Sequence, residues 1–139
     1  MVPGQTWQVD HIGIAVRDLN EAIAHYARTA HTTITSREVI ESQGVELAFL
    51  NTAGSKLELL APRTPTSKIA NFLNKRGPGL HHVCYQVDDI VVELARLAAL
   101  GCTLIDTAPR AGAHGTRIAF ISPTSFLGVL TELVEYPRP

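Results

Sequence analysis

The chain has 139 residues, of which 45% are hydrophobic and 18% are charged, so it is long enough to bury a core as one globular domain. Its formal net charge of −1 argues against the clustered basic surface that nucleic acids or anionic membranes require, and we expect neither as a partner. No apolar run approaches the roughly 18 residues of a membrane span, and no basic flank marks a leader, so we predict a cytoplasmic location.

The first half of the chain predicts the order β-α-β-β-β. Residues 9–16 alternate small or polar side chains with β-branched ones, which is typical of a strand with two different faces. Asp18, with Glu21 three residues later, predicts the start of a helix that runs to Ala30. Further elements are predicted in chain order: strands at 33–42, 45–51 and 56–60, then a short helix at about 68–75.

The second half repeats this order after a linker at 76–79. A strand is predicted near 82–87, and Asp88 or Asp89 can cap a helix that ends at Gly101. Three more strands are predicted, at 103–106, 117–122 and 129–135. We therefore predict one domain over residues 1–139, with module one at about 8–75 and module two at about 80–136.

The repeat places histidines and glutamates at matching positions. His82 lies 71 positions after His11 (82 − 11), and Glu132 lies 74 positions after Glu58 (132 − 58). A carboxylate in an apolar strand must meet a cation, a donor or water, because burying it alone costs several kcal/mol. Two His and two Glu suit a divalent ion with open coordination positions, such as Co²⁺, Mn²⁺, Ni²⁺ or Zn²⁺. Spacing alone leaves open a second interpretation, in which the histidines are hydrogen-bonded core residues and the glutamates face solvent.

Five motifs resemble those of the methylmalonyl-CoA epimerases, a family of the vicinal oxygen chelate superfamily. They read "DHIGIAV", "LELLAP", "GLHHV", "GAHGTRIAFISP" and "GVLTELVE", and the resemblance runs over nearly the whole chain, from about Val9 to Tyr136. The resemblance implies an α+β fold of two βαβββ modules that form a half-open barrel around a metal-containing cavity. It implies metal ligands at His11, Glu58, His82 and Glu132, one divalent ion per chain with Co²⁺ favoured, and a homodimer.

The resemblance also implies a reaction. The enzyme would interconvert (R)- and (S)-methylmalonyl-CoA by removing the α-proton of the acyl-CoA thioester and returning a proton through an enolate, with Glu132 as one base. Loop residues expected to contact substrate are Gln43, Gly112, His114 and Gly115.

This chain departs from the family at two acidic positions. Some epimerases have Gln where this chain has Glu58. Several have an acid where this chain has Leu47, with Glu46 just before it. Glu46 is the candidate for the second acid/base group, but alternation along a strand would turn it to the other face unless a bulge intervenes.

Two other functions are compatible with these residues. A glyoxalase I-type lactoylglutathione lyase, or another metal-dependent enzyme of the superfamily, would use the same ligands on a different substrate. A non-catalytic binding protein would hold a small molecule in the same fold.

Overall fold

The computed structural model describes residues 6–139, which fall into two compact units. Unit one is residues 11–81, and unit two comprises residues 6–10 and 82–139. The strands are β1 (Gln8–Ala15), β2 (Thr33–Ile40), β3 (Val45–Asn51), β4 (Lys56–Pro62), β5 (Gly79–Gln86), β6 (Arg110–Ala111), β7 (Arg117–Ile121) and β8 (Thr131–Glu135). The helices are α1 (Leu19–Ala30), α2 (Lys68–Arg76) and α3 (Ile90–Ala99). None of the helices within residues 6–139 is long and apolar enough to cross a membrane.

Unit one is built on four strands in the order β2-β3-β4-β1. The pairs β2/β3 and β3/β4 are antiparallel, whereas β4 and β1 are parallel. Leu19 of α1 packs against one face of this sheet, where Ala48, Leu50, Leu59 and Ala61 form a buried cluster with it. Because side chains alternate along a strand, Phe49 and Glu58 lie on the other face, which we call the inner face of unit one.

Unit two has the strand order β5-β8-β7-β6, with β5 parallel to β8 and the other pairs antiparallel. Helix α3 packs on one face through Ile90, Leu94 and Leu97. Cys84, Ile118 and Val134 form a separate apolar cluster, with Phe120 and Tyr136 packed against it. These residues alternate with Leu133 and Ala119 of the α3 side, so they define the inner face of unit two.

The repeated order β-α-β-β-β is confirmed, as are the caps that begin α1 and α3. The Asp18 carboxylate accepts a hydrogen bond from the backbone N–H of Glu21, and the Asp89 carboxylate accepts one from Val92. Both aspartates thus satisfy a backbone donor that the first turn of a helix leaves open.

The predicted strand at 103–106 is wrong. Leu104 makes only an isolated bridge with Ile121, while the N–H groups of Ile105 and Asp106 both donate to the carbonyl of Phe120. The Asp106 carboxylate accepts the Phe120 N–H at 2.8 Å, so a side chain takes the donor that a neighbouring strand would use. The edge strand of this module, which pairs with β7, is instead the two-residue β6.

Candidate metal centre

A buried His–Glu pair lies on the inner face of unit one. His11 of β1 is 4% exposed and Glu58 of β4 is 6% exposed. The parallel register sets Gly13 beside Glu58, two residues along β1 from His11 and on the same face. Because Gly13 has no side chain, the His11 imidazole can approach the carboxylate, and Nε2 lies 3.4 Å from Oε1 of Glu58.

Unit two repeats this pair with the same atoms. His82 of β5 and Glu132 of β8 are both buried, and Nε2 of His82 lies 3.0 Å from Oε1 of Glu132. Cys84, another small residue, stands beside Glu132 in the register, at the place that Gly13 takes in unit one. Each unit therefore presents one imidazole nitrogen and one carboxylate oxygen on its inner face.

An aromatic ring supports the imidazole in each unit. The rings of Phe49 and His11 are nearly perpendicular, at 82°, with centroids 5.3 Å apart, and those of Phe120 and His82 lie at 84° and 5.6 Å. Edge-to-face packing of this kind holds a ring in one orientation. A cation also lies over each phenylalanine ring: Lys56 Nζ is 5.4 Å from the Phe49 centroid, and Arg110 Cζ is 5.5 Å from that of Phe120.

The two phenylalanines were missed by sequence reasoning, although a signal for them exists. Phe120 lies 71 positions after Phe49 (120 − 49), the same offset that relates His82 to His11. In the structure Phe49 is the cross-strand partner of Glu58, and Phe120 is that of Glu132. The phenylalanines are therefore a third pair of matched positions in the two modules, beside the two histidines and the two glutamates.

The chemistry of both pairs fits a metal ion. Two ligand atoms that lie about 2.1 Å from one ion are about 3.0 Å apart at octahedral angles and about 3.4 Å apart at tetrahedral angles. The observed separations of 3.0 and 3.4 Å match these spacings. All four residues are buried and each offers one ligand atom, so each His–Glu pair could contribute to binding a divalent cation.

Glu46 is not brought together with the His–Glu pair of unit one. The register of β3 with β4 runs without a break from Val45 to Leu50, so no bulge turns Glu46 toward the inner face. Its carboxylate lies 3.7 Å from the guanidinium of Arg37, which also donates to Asn20 of α1. Leu47, the next residue, is 4% exposed and takes the inner-face position.

The predicted substrate-contact residues lie in turns. Gln43 ends a short 3-10 turn, Glu41–Gln43, that joins β2 to β3 in unit one. Gly112, His114 and Gly115 belong to one loop of unit two, where His114 is exposed and has a left-handed backbone with φ of 57°. A Cβ at Gly112 would lie 2.7 Å from side-chain atoms of Ile118 and Thr116, so this glycine is already required by the packing of the loop.

Comparison with known proteins adds independent observations on fold and relatives. Residues 10–120 match the model of the Glyoxalase/Bleomycin resistance protein/Dioxygenase superfamily. The uncharacterized protein YqjC of Bacillus subtilis is 41% identical over 92% of this chain and 91% of its own length. The ethylmalonyl-CoA/methylmalonyl-CoA epimerase of Cereibacter sphaeroides is 37% identical over 92% of this chain and 97% of its own.

A solved structure gives the same result in three dimensions. A variant of the Streptomyces coelicolor methylmalonyl-CoA epimerase, in complex with 2-nitronate-propionyl-CoA, superposes with a TM-score of 0.87 at 36% identity, covering 92% of this chain and 93% of that one. The match confirms the α+β fold predicted from the sequence.

Proposed function

The chain belongs to the Glyoxalase/Bleomycin resistance protein/Dioxygenase superfamily, and within it we propose that this protein is a methylmalonyl-CoA epimerase. The observation that carries the proposal is the pair of matched, buried His–Glu sets on the inner faces of the two units. Relatives named as epimerases of this substrate at 36–37% identity over most of the chain support it. The protein is accordingly an isomerase that acts on a coenzyme A thioester.

We propose that His11, Glu58, His82 and Glu132 hold one divalent ion together. Each pair supplies one nitrogen and one oxygen, and a single pair would leave most positions of a Co²⁺, Mn²⁺, Ni²⁺ or Zn²⁺ ion without protein ligands. Deep burial of both carboxylates supports a cation as their partner, because its charge offsets the cost of removing them from water.

The reaction requires a proton to leave a carbon between a thioester carbonyl and a carboxylate. A bound divalent ion supplies Lewis-acid stabilisation to the negative charge that develops on the thioester oxygen. Glu132 is proposed as the group that takes the α-proton from one face, since it is a carboxylate held rigidly between β5 and β7. Its burial keeps bulk water away from the carboxylate.

Loop residues are proposed to orient the thioester. Gln43 offers a side-chain amide in the turn between β2 and β3, and His114 offers an exposed imidazole in a loop that Gly112 and Gly115 shape. A backbone with little side-chain bulk permits close approach of a substrate.

A single-enantiomer experiment tests this function. The protein is mixed with one enantiomer of methylmalonyl-CoA in deuterated buffer, and the label at the α-carbon and the formation of the other enantiomer are followed by NMR and chiral analysis. We expect label entry together with inversion, loss of both on chelation, and recovery on return of a divalent ion. Absence of inversion and label from the metal-loaded protein, with turnover of a glutathione hemithioacetal instead, would assign it to the glyoxalase-type alternative.

Three further properties stay predictions: a preference for cobalt, a homodimer and a cytoplasmic location. The metal preference is checked by comparing turnover after reconstitution of the apoprotein with Co²⁺, Mn²⁺, Ni²⁺ and Zn²⁺ in turn. Light scattering of the purified protein gives the mass in solution and thus tests the dimer.

A further inference from the structure

The inner face of unit one carries a second carboxylate that the metal set does not use. Glu38 of β2 is the cross-strand partner of Leu47 in the antiparallel β2/β3 register. Residues directly opposite each other in such a pair share a face, with Cβ atoms about 4.5–5.5 Å apart. Glu38 therefore lies on the same face as Leu47, Phe49 and Glu58, one strand farther from His11 than Leu47.

The burial pattern of β2 supports this orientation. Ser36, Glu38 and Ile40 are half-buried, whereas Arg37 and Val39 between them are exposed. The carboxylate oxygen Oε2 of Glu38 is buried, so one edge of the group is withdrawn from bulk solvent. Among the described residues of β2 to β4, the inner face carries two carboxylates, Glu58 and Glu38.

We propose that Glu38 is the second acid/base group of the epimerisation, acting on the face of the α-carbon that Glu132 does not serve. The proposal depends on the proposed function. Several epimerases have an acid on β3 at the position of Leu47, and we assign the role of that acid to Glu38 on the neighbouring strand β2. Glu46 cannot serve this role from the α1 side of the sheet, where it pairs with Arg37.

The proton transfers balance between the two glutamates. The ionised Glu132 takes the α-proton, and the electrons of the C–H bond enter the thioester as an enolate. The protonated Glu38 then gives its O–H proton to the opposite face of the same carbon, which forms the new C–H bond. Glu38 is left ionised and Glu132 protonated, and exchange of both groups with solvent resets the site; the other enantiomer follows the reverse order.

An isotope experiment on Glu38→Gln separates this role from a structural one. In deuterated buffer we expect inversion to fall by about 10²- to 10⁴-fold, the usual contribution of a general acid or base. Deuterium should still enter the enantiomer whose proton Glu132 removes, at a rate within about threefold of wild type, because that half-reaction needs only one carboxylate. Exchange into the other enantiomer should be lost.

Two variants serve as controls. Glu41→Gln alters an exposed glutamate three residues away and should leave both exchange and inversion unchanged. The double variant Glu38→Gln/Leu47→Glu moves the carboxylate across the strand pair and should recover inversion. Thermal unfolding of each variant confirms that it is folded.

Several results would overturn the assignment. Inversion by Glu38→Gln at the wild-type rate would remove Glu38 from the reaction, and equal loss of exchange into both enantiomers would give it a structural role. Failure of a folded double variant to recover inversion would also count against it. In each of these cases wild-type inversion still stands and so does the epimerase function, whereas a wild-type protein that neither inverts nor exchanges would remove both proposals.

Discussion

The two units share a buried His–Glu pair and differ at their edge strands. Each has a His–Glu pair, a phenylalanine perpendicular to the imidazole and a small residue beside the glutamate. At the edge, β2 has eight residues and sets Glu38 opposite Leu47, whereas β6 has two and sets Arg110 opposite Ile118. Since Leu47 and Ile118 are related by the same offset of 71 (118 − 47), one inner-face position carries a carboxylate in unit one and a guanidinium in unit two.

The difference indicates that the edge strands of the two repeated units can diverge more readily than the central strands. A ligand in a central strand is constrained by neighbours on both sides, as Glu58 is between β3 and β1. An edge strand pairs on one side only and can change its length and charge without disturbing the His–Glu pairs of the inner strands. A reaction that treats the two faces of one carbon differently can use that asymmetry.

We expect the largest loss of activity from substitution of Glu132, and a much smaller loss from substitution of Glu58, its equivalent in unit one. Glu132→Gln should lower kcat/KM by about 10³-fold, because it removes an acid/base group as well as a charged ligand. Glu58→Gln should cost only about tenfold, since an amide oxygen can still coordinate and this residue takes no proton. Steady-state kinetics with matched metal content measures both.

Equal losses in these two variants would break the comparison, because both glutamates would then act only as ligands. Circular dichroism serves as the control, and both near-isosteric amides are expected to keep the native spectrum.

A smaller effect, on stability, is expected from substitution of the phenylalanines that pack against the histidines. Phe49 is 7% exposed and Phe120 is only partly buried, so Phe49→Leu should lower the free energy of unfolding by about 1–2 kcal/mol and Phe120→Leu by less. Urea denaturation with each variant gives the two values. The reverse order would mean that the contact of Arg110 with Phe120 outweighs burial.

The smallest effect concerns acid stability and belongs to unit two alone. The Arg96 guanidinium, hydrogen-bonded to Glu93, keeps the pKa of that carboxyl below its ordinary value of 4.5, and the Trp7 indole N–H also donates to Glu93. A carboxyl with a lowered pKa binds fewer protons when folded, so its contribution to stability is complete above pH 4.5 and is lost as the pH falls through the lowered pKa.

Fluorescence measures this directly, because Trp7 is the single tryptophan of the chain. Unfolding midpoints followed by its emission should fall less steeply below pH 4.5 in Glu93→Gln than in wild type. Identical slopes would show that this contact does not contribute to acid stability.

Local patterns in the sequence were sufficient for the order of the elements and for the two matched His–Glu pairs. Asp18 and Asp89 cap helices through side-chain chemistry that depends on the next three residues, and such signals are visible without a structure. The positions of the His–Glu pairs followed from a repeat, which is likewise a property of the sequence.

Local sequence patterns did not predict which residues of neighbouring strands lie opposite each other. The opposition of Glu38 and Leu47 depends on how the Glu41–Gln43 turn and the left-handed Gly44, with φ of 64°, connect β2 to β3. Alternation places Glu38 on a face but does not tell which residue of the next strand lies beside it. Likewise, the capture of the Phe120 N–H by Asp106 is a long-range contact that made residues 103–106 irregular.

The metal content of the protein shows whether both His–Glu pairs bind the same ion. The apoprotein is reconstituted with excess Co²⁺, freed of unbound ion and analysed for cobalt per chain, alongside His11→Ala and His82→Ala. One ion per chain in wild type, lost or greatly weakened in both variants, is the result that the account predicts. Two ions per chain, with each variant losing only one, would show that each His–Glu pair binds its own ion and would contradict a shared site.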